Sequence, residues 1–430
     1  MPTLLERHRG VLPSWQPLYY AEPIELARGE GRHVWDHEGR RYLDFYGGIL
    51  TTMVGHAVPE IVEAIREQAG RILHSSTVYL CESQIELAEE IAGLSGIPDA
   101  RVFFTTSGTE AIDTALLLAT AKRQSNEVLA VRNSYHGRSF SAVSITGSRS
   151  WSPTSLSPLN VHYVHGGYKF ASPFHDRSDE EYTDLCLWDL RNLLETATAG
   201  NVACMIAEPI QGAGGFVTPP DGFFGQMKQV LDESGILFVS DEVQTGWGRT
   251  GEHFFGYQAH DLVPDILTFA KGVGNGLSIG GVVARADVMN CLPAYSISTF
   301  GGNPLVTTGA LATLRYVQAH DLQANALEQG QRMRQRLDTL AARCPLIGEV
   351  RGKGLMLGIE LVRKGTRDPD PVATTALMEE TKAAGLLIGR GGLYGNVIRV
   401  SPPLSLTTSE CDEGAELFEK AVERVASKTL

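Results

Sequence analysis

GILFVSDEVQTGWGRTG, residues 235–251, runs from a glycine through an apolar stretch to an acidic pair and then into a glycine-rich segment. PDILTFAKGVGNG, residues 264–276, repeats the plan with a lysine where the other has its acids. Strands that are apolar almost throughout are expected where a largely parallel sheet is covered on both faces. EVLAVRN (127–133), NVACMIAEP (201–209), GGVVARA (280–286) and the β-branched, aromatic run from Arg101 to Thr106 are further strand candidates. SGTEAIDTALLLATAKR (107–123) follows that last run with apolar positions at helical spacing. Strands alternating with helices predict an α/β fold with right-handed crossovers.

The two ends of the chain read differently. ELARGEGRHVWDHEGRRYLDF (25–45) predicts two short strands joined by a turn at residues 37–39. VRGKGLMLGIEL (350–361) and NVIRVSPPL (396–404) predict strands with helices between and after them. A chain of 430 residues exceeds the usual size of one domain. The expected organisation is an N-terminal segment, 1–50, that joins a smaller C-terminal α+β domain, 316–430. A large domain, 51–315, lies between them. No repeat, low-complexity tract or flexible linker separates these parts.

Composition narrows the function. A net charge of −13 argues against nucleic acid or an anionic membrane as partner, so any anion must be met by local arginines. No stretch approaches the length of a membrane span. Cys81, Cys186, Cys204, Cys291, Cys344 and Cys411 are scattered without metal-ligand spacing, so no metal is expected. They suit a reducing compartment, with the cytoplasm as the default address.

Four places could carry chemistry. Lys271 ends an apolar strand, where a lysine is costly unless it is paired or chemically used. It could also send its ammonium to solvent along a covered stem. The glycines after it faintly suggest a dinucleotide loop, but the G-x-G-x-x-G spacing and a downstream acid are missing. Asp241 is delivered to the carboxyl end of a strand, where α/β folds place ligands. It could keep a pyridine ring nitrogen protonated, bind a metal or cap a helix. Val243 would then lie against the ring face, with Gln244 near a ring hydroxyl. TTSGTEA (105–111) sets small residues at a helix start, fit for a phosphate or for simple N-capping. NSYHGRS (133–139) offers Tyr135 for stacking and Arg138 for a carboxylate, or is a turn that carries both incidentally.

Taken together, these segments resemble the class III (subgroup II, ω-amino acid) aminotransferases, enzymes of fold type I that use pyridoxal 5′-phosphate (PLP). The resemblance runs from about Tyr42 to Pro403 through YLDFYGGI, FFTTSGTEA, SYHGRS, AEPIQGAGG, SDEVQTGWGRTG, FAKGVGNG, STFGGNP and RGKGLMLGIEL. It implies a large, mostly parallel-sheet domain beside a smaller α+β domain. Lys271 matches the lysine that forms the internal aldimine and later moves a proton, and Asp241 matches the partner of the ring nitrogen. Ser107, Gly108 and Thr109 match the phosphate cup, Tyr135 the ring cover and Gln244 the group at the ring oxygen. Glu208 matches an acid that helps hold the site. Thr299 resembles the threonine that reaches the neighbouring subunit's phosphate, which implies a homodimer with shared sites, open to pairing into a dimer of dimers.

Arg399 matches the arginine that takes a substrate's α-carboxylate, Arg138 one that some members use for another carboxylate, and Ile49 part of the substrate wall. Many members carry a glutamate after EPIQG that pairs with the first arginine; here that place is Ala213. In this, in GGILTTMVGH and in VRGKGLMLGIEL, the chain resembles the alanine–glyoxylate aminotransferase 2 branch. The expected activity moves an amino group from alanine or an ω- or β-amino acid to pyruvate, glyoxylate or 2-oxoglutarate in two half-reactions. A decarboxylase, aminomutase, racemase or phospholyase on the same scaffold is the nearest alternative. A nicotinamide dehydrogenase and a non-catalytic binding role are the more distant ones.

Overall fold

The structure, a computed structural model, describes residues 2–428. The N-terminal segment forms β1 (Leu26–Glu30), β2 (His33–Asp36) and β3 (Arg41–Asp44), one strand more than the sequence suggested. Gly31, at φ +56°, turns the first expected strand back on itself, so that Glu30 faces His33. β1 is exposed except at Gly29 and has no apolar alternation to announce it. β3 pairs in parallel with Leu386–Leu387, which joins the start of the chain to its C-terminal part.

The central sheet has seven strands: β4 (Ala100–Thr105), β5 (Glu127–Val131), β6 (Asn160–Val164), β7 (Cys204–Ala207), β8 (Leu237–Asp241), β9 (Ile266–Phe269) and β10 (Gly280–Arg285). Their order is β4-β10-β9-β8-β7-β5-β6, with β10 antiparallel to both neighbours and the other pairings parallel. β6, which the sequence reading did not single out, is a part-exposed edge strand. Its His162 Nε2 meets the buried Glu127 carboxylate at 2.8 Å.

Strand pleating sends neighbouring residues into different cores. Val128 and Ala130 of β5 pack with helix Gly108–Arg123 on one face. Leu129 and Val131 pack with helices Asp179–Thr196 and Phe223–Asp232 on the other. The double covering explains why these strands read as unbroken apolar runs. Among the described residues, no helix is long and apolar enough to cross a membrane.

The C-terminal part builds a four-stranded antiparallel sheet from Ile347–Lys353, Met356–Leu361, Val397–Val400 and Gly389–Gly391. Two buried arginines tie the parts together. Arg249 donates to the carbonyls of Leu355 (3.2 Å) and Pro402 (2.5 Å). Arg351 reaches Glu360 at 2.5 Å and the carbonyl of Gly215 at 3.0 Å. These bonds hold the 209–215 loop and the Arg399 strand against the ends of the central strands.

Candidate active site

The carboxyl ends of the central strands converge on a cavity of about 200 Å³. Ser107, Gly108, Thr109, Tyr135, Glu208, Asp241, Val243, Gln244 and Lys271 line it, with His136 and Gly137 completing the wall. All of these except His136 and Gly137 were singled out from the sequence.

Ser107 caps helix Gly108–Arg123, its hydroxyl accepting from the Glu110 N–H at 3.2 Å. The first-turn N–H groups have no intrahelical carbonyl and, with the helix dipole, favour an anion. Gly108 leaves room here, since a Cβ would crowd Val243 at 3.2 Å. Gly137, at φ +129°, lets the 133–139 loop approach the same turn: a Cβ would lie 2.5 Å from Thr109 Oγ1.

The acidic pair separates by alternation. Glu242 turns away from the cavity and accepts from Gly256 N–H, Tyr257 N–H, Thr245 and Ser240, so its role is to hold the following loop. Asp241 faces the cavity, its Oδ2 lying 2.7 Å from His136 Nδ1. His136 is buried and its Nε2 has no partner among the described residues. The sequence reading passed over His136 because a single buried histidine leaves no periodic signal.

Glu208 accepts from the N–H groups of Tyr135 (2.9 Å) and Gly212 (2.8 Å). Burial pushes its carboxyl up to about 7, helped by Asp241 and opposed by His136. Lys271 follows β9 at φ +48°, a left-handed conformation uncommon for residues other than glycine. Burial pulls its amine down to about 8, against the opposite pull of Asp241 and Glu208. No protein group hydrogen-bonds that amine among the described residues.

These residues fit PLP. An unencumbered helix start suits the phosphate, a buried carboxylate the ring nitrogen, and Val243 and Tyr135 the ring faces. Gln244 adds an amide whose buried Oε1 has no partner among the described residues, and Lys271 an amine of lowered basicity. Four of the predicted residues lie outside the cavity wall. Ile49 (φ +66°), Arg138 and Thr299 are exposed, although the Arg138 N–H reaches Thr109 Oγ1 at 3.3 Å. Arg399 is buried beyond Gly212, whose carbonyl accepts from its Nη1 at 3.3 Å.

A family model, "Aminotransferase class-III", matches residues 18–422. The chain is 37% identical to "Alanine--glyoxylate aminotransferase 2 homolog 2, mitochondrial" of Arabidopsis thaliana, over 98% of this chain and 87% of that protein. It is 35% identical to an alanine/serine racemase of Pyrococcus horikoshii, covering 97% and 90%. A solved Arthrobacter phospholyase in complex with phosphoethanolamine superposes with a TM-score of 0.90 at 32% identity, covering 98% and 99%.

Proposed function

This chain belongs to the class-III aminotransferases, PLP-dependent transaminases of fold type I, and from that premise we propose which residues do the work and which donors it prefers. Ser107, Gly108 and Thr109 hold the phosphate, Asp241 the ring nitrogen, Gln244 the ring oxygen, and Tyr135 and Val243 the ring faces. Lys271 holds the aldehyde carbon, and Glu208 braces the loop that carries Tyr135. Bound there, PLP supplies an aldehyde for the donor's amine and a ring that accepts electrons from the amine-bearing carbon. Lys271 Nζ takes the proton from that carbon, and its lowered basicity keeps part of the amine neutral and ready near pH 8.

The sign of that shift gives a pH prediction. Only the neutral amine attacks an aldehyde, so covalent uptake of PLP by cofactor-free protein should quicken as pH rises through about 8. Glu208 raises the amine's basicity, so Glu208→Gln should move the midpoint to lower pH. Stopped-flow absorbance reads both; an upward shift in the variant contradicts the assignment.

The donor preference rests on one observation: Arg399 is buried, and no carboxylate lies within ion-pair distance of it among the described residues. Ala213 leaves it without an acidic gate. An unbalanced buried guanidinium favours donors whose carboxylate sits close to the reacting amine, such as alanine or a β-amino acid. Arg138 serves longer ω-amino acids. Arg399→Ala and Arg138→Ala are to be compared on alanine, β-alanine and 4-aminobutyrate. Loss of one charge-assisted contact should cost about 1.5–3 kcal/mol in kcat/KM, falling on the short donors in Arg399→Ala. Equal losses for all donors in both variants contradict it. Pyruvate, glyoxylate or 2-oxoglutarate accepts the amino group. The PLP-loaded enzyme given alanine alone should release one pyruvate per chain, whereas a racemase would invert alanine and release none.

We further propose a homodimer with shared sites. Thr299 is exposed beside Ile297 and Phe300, and Leu80 and Tyr295 are almost fully exposed apolar side chains. The His74 ring lies 5.1 Å from that of Phe300, and Thr77 and Ile297 line one groove, so the two segments adjoin, and exposed apolar side chains grouped in this way mark an interface. Analytical ultracentrifugation should find PLP-loaded dimers or pairs of dimers; an active, loaded monomer contradicts the sharing of Thr299. The domain division 1–50, 51–315 and 316–430 places its second boundary inside helix Pro304–Ala319, which then carries the chain from one part to the other. Six free thiols suit a cytoplasmic address, although the Arabidopsis relative is named mitochondrial.

A further inference from the structure

Ala213 offers Arg399 no carboxylate, and two tyrosines stand against the guanidinium instead. Arg399 Nη2 donates to the Tyr46 hydroxyl and, at 3.4 Å, to the Tyr19 hydroxyl. The two hydroxyl oxygens lie 2.6 Å apart. The Tyr46 ring sits under the guanidinium, 5.2 Å from its carbon, and Phe216 flanks it at 5.6 Å. Asp44 fixes Tyr46 in place by accepting from the N–H groups of Tyr46 (3.0 Å) and Gly47 (2.9 Å). Burial pushes the Tyr46 hydroxyl's pKa well above the ordinary range, so it keeps its proton.

A count of protons shows what the cluster lacks. Guanidinium donates only, so both hydroxyl oxygens accept from it. The bond between the hydroxyls consumes one of their two O–H donors. One phenolic O–H is therefore left over, whichever way that bond points, and no protein acceptor faces it among the described residues. Arg399 Nε is likewise buried without a partner among the described residues. A Cβ at position 391 would come 3.0 Å from that nitrogen, so glycine keeps the space beside it clear. The cluster adjoins the cavity through Gly212, whose carbonyl accepts from Arg399 and where a Cβ would fall 2.2 Å from Gln244 Nε2. A buried cation with unused N–H and O–H donors and no counter-charge calls for an anion with two oxygens.

We propose that Tyr19 and Tyr46 form, with Arg399, a shared cradle for the substrate's carboxylate, in which the spare phenolic O–H donates to one carboxylate oxygen beside the guanidinium. The inference rests on the aminotransferase reading above and adds two specificity-determining residues to it. Because the arginine's partners are neutral, the cradle stays cationic for donor and acceptor alike and has no closed state. Either tyrosine can supply the spare donor, so removing one hydroxyl leaves the other to serve.

The test measures propionate, a carboxylate without an amine, binding to PLP-loaded enzyme by calorimetry. It also measures the kcat/KM ratio of alanine to ethylamine in the half-reaction. Tyr19→Phe and Tyr46→Phe should each weaken propionate about threefold and the double variant about thirtyfold, with the ratio falling in parallel. Ala213→Glu, which leaves both tyrosines in place, should weaken propionate at least about tenfold by pairing with Arg399. A double variant within twofold of the parent overturns the cradle, as does a single variant that loses as much as the double. Equal losses for alanine and ethylamine would reduce the tyrosines to structural roles. If the unaltered enzyme forms no pyruvate from alanine, alanine is not its donor and that part of the proposed function fails, while propionate binding still judges the cradle.

Discussion

Lys271→Ala should lower turnover with alanine and pyruvate by about 10⁴-fold, the upper range for losing a positioned base. Two functions vanish together: the amine that holds the cofactor's aldehyde and the base that moves the proton. The phosphate turn at Ser107–Thr109 and the Asp241 carboxylate remain, so the variant should still bind PLP, without a covalent bond. Stability gives a second reading. In cofactor-free protein the amine's pKa falls from 10.5 to about 8, so the folded state resists its protonation. That destabilisation is complete below pH 8 and disappears as pH rises toward 10.5, because the unfolded chain binds the extra proton in that window. At pH 7, cofactor-free Lys271→Ala should therefore melt no lower than the cofactor-free parent. Turnover near the parent's level would remove Lys271 from the mechanism.

Asp241→Asn should slow the alanine half-reaction by at least about a hundredfold, near 2.7 kcal/mol in the barrier. The amide keeps the shape of the side chain and can still meet His136 Nδ1, which lies 2.7 Å from Asp241 Oδ2. It cannot supply the charge that keeps a ring nitrogen protonated, so the rate should suffer far more than PLP retention. Single-turnover absorbance and PLP content after dialysis separate the two effects. A rate within about tenfold of the parent, roughly 1.4 kcal/mol, would show that Asp241 does not hold the ring nitrogen.

The parts of this site that lie at strand ends were legible in the sequence. Apolar runs covered on both faces announce β8 and β9, and the residues that stop those runs, Asp241 and Lys271, stand at the cavity. Ser107 follows β4 at the start of a helix, while Glu208, which follows β7, was marked only by the family resemblance. Contacts between remote segments were not legible. Tyr19 and Tyr46 meet Arg399 across 380 and 353 residues, and no local pattern marks them. His136 was hidden for a related reason, since its meaning comes from Asp241, 105 residues away. At Gly31 one positive-φ residue split an expected strand in two, and β6 escaped notice because half-exposed edge strands tolerate polar residues such as His162.

The central claim is that Lys271 is the residue that carries PLP, and covalent mapping tests it most directly. PLP-loaded enzyme is reduced with borohydride, digested and sequenced by mass spectrometry. The account predicts one phosphopyridoxyl group per chain, on Lys271 within PDILTFAKGVGNG, and none on protein first treated with excess alanine. A label on another lysine, or PLP released unbound after reduction, would contradict it.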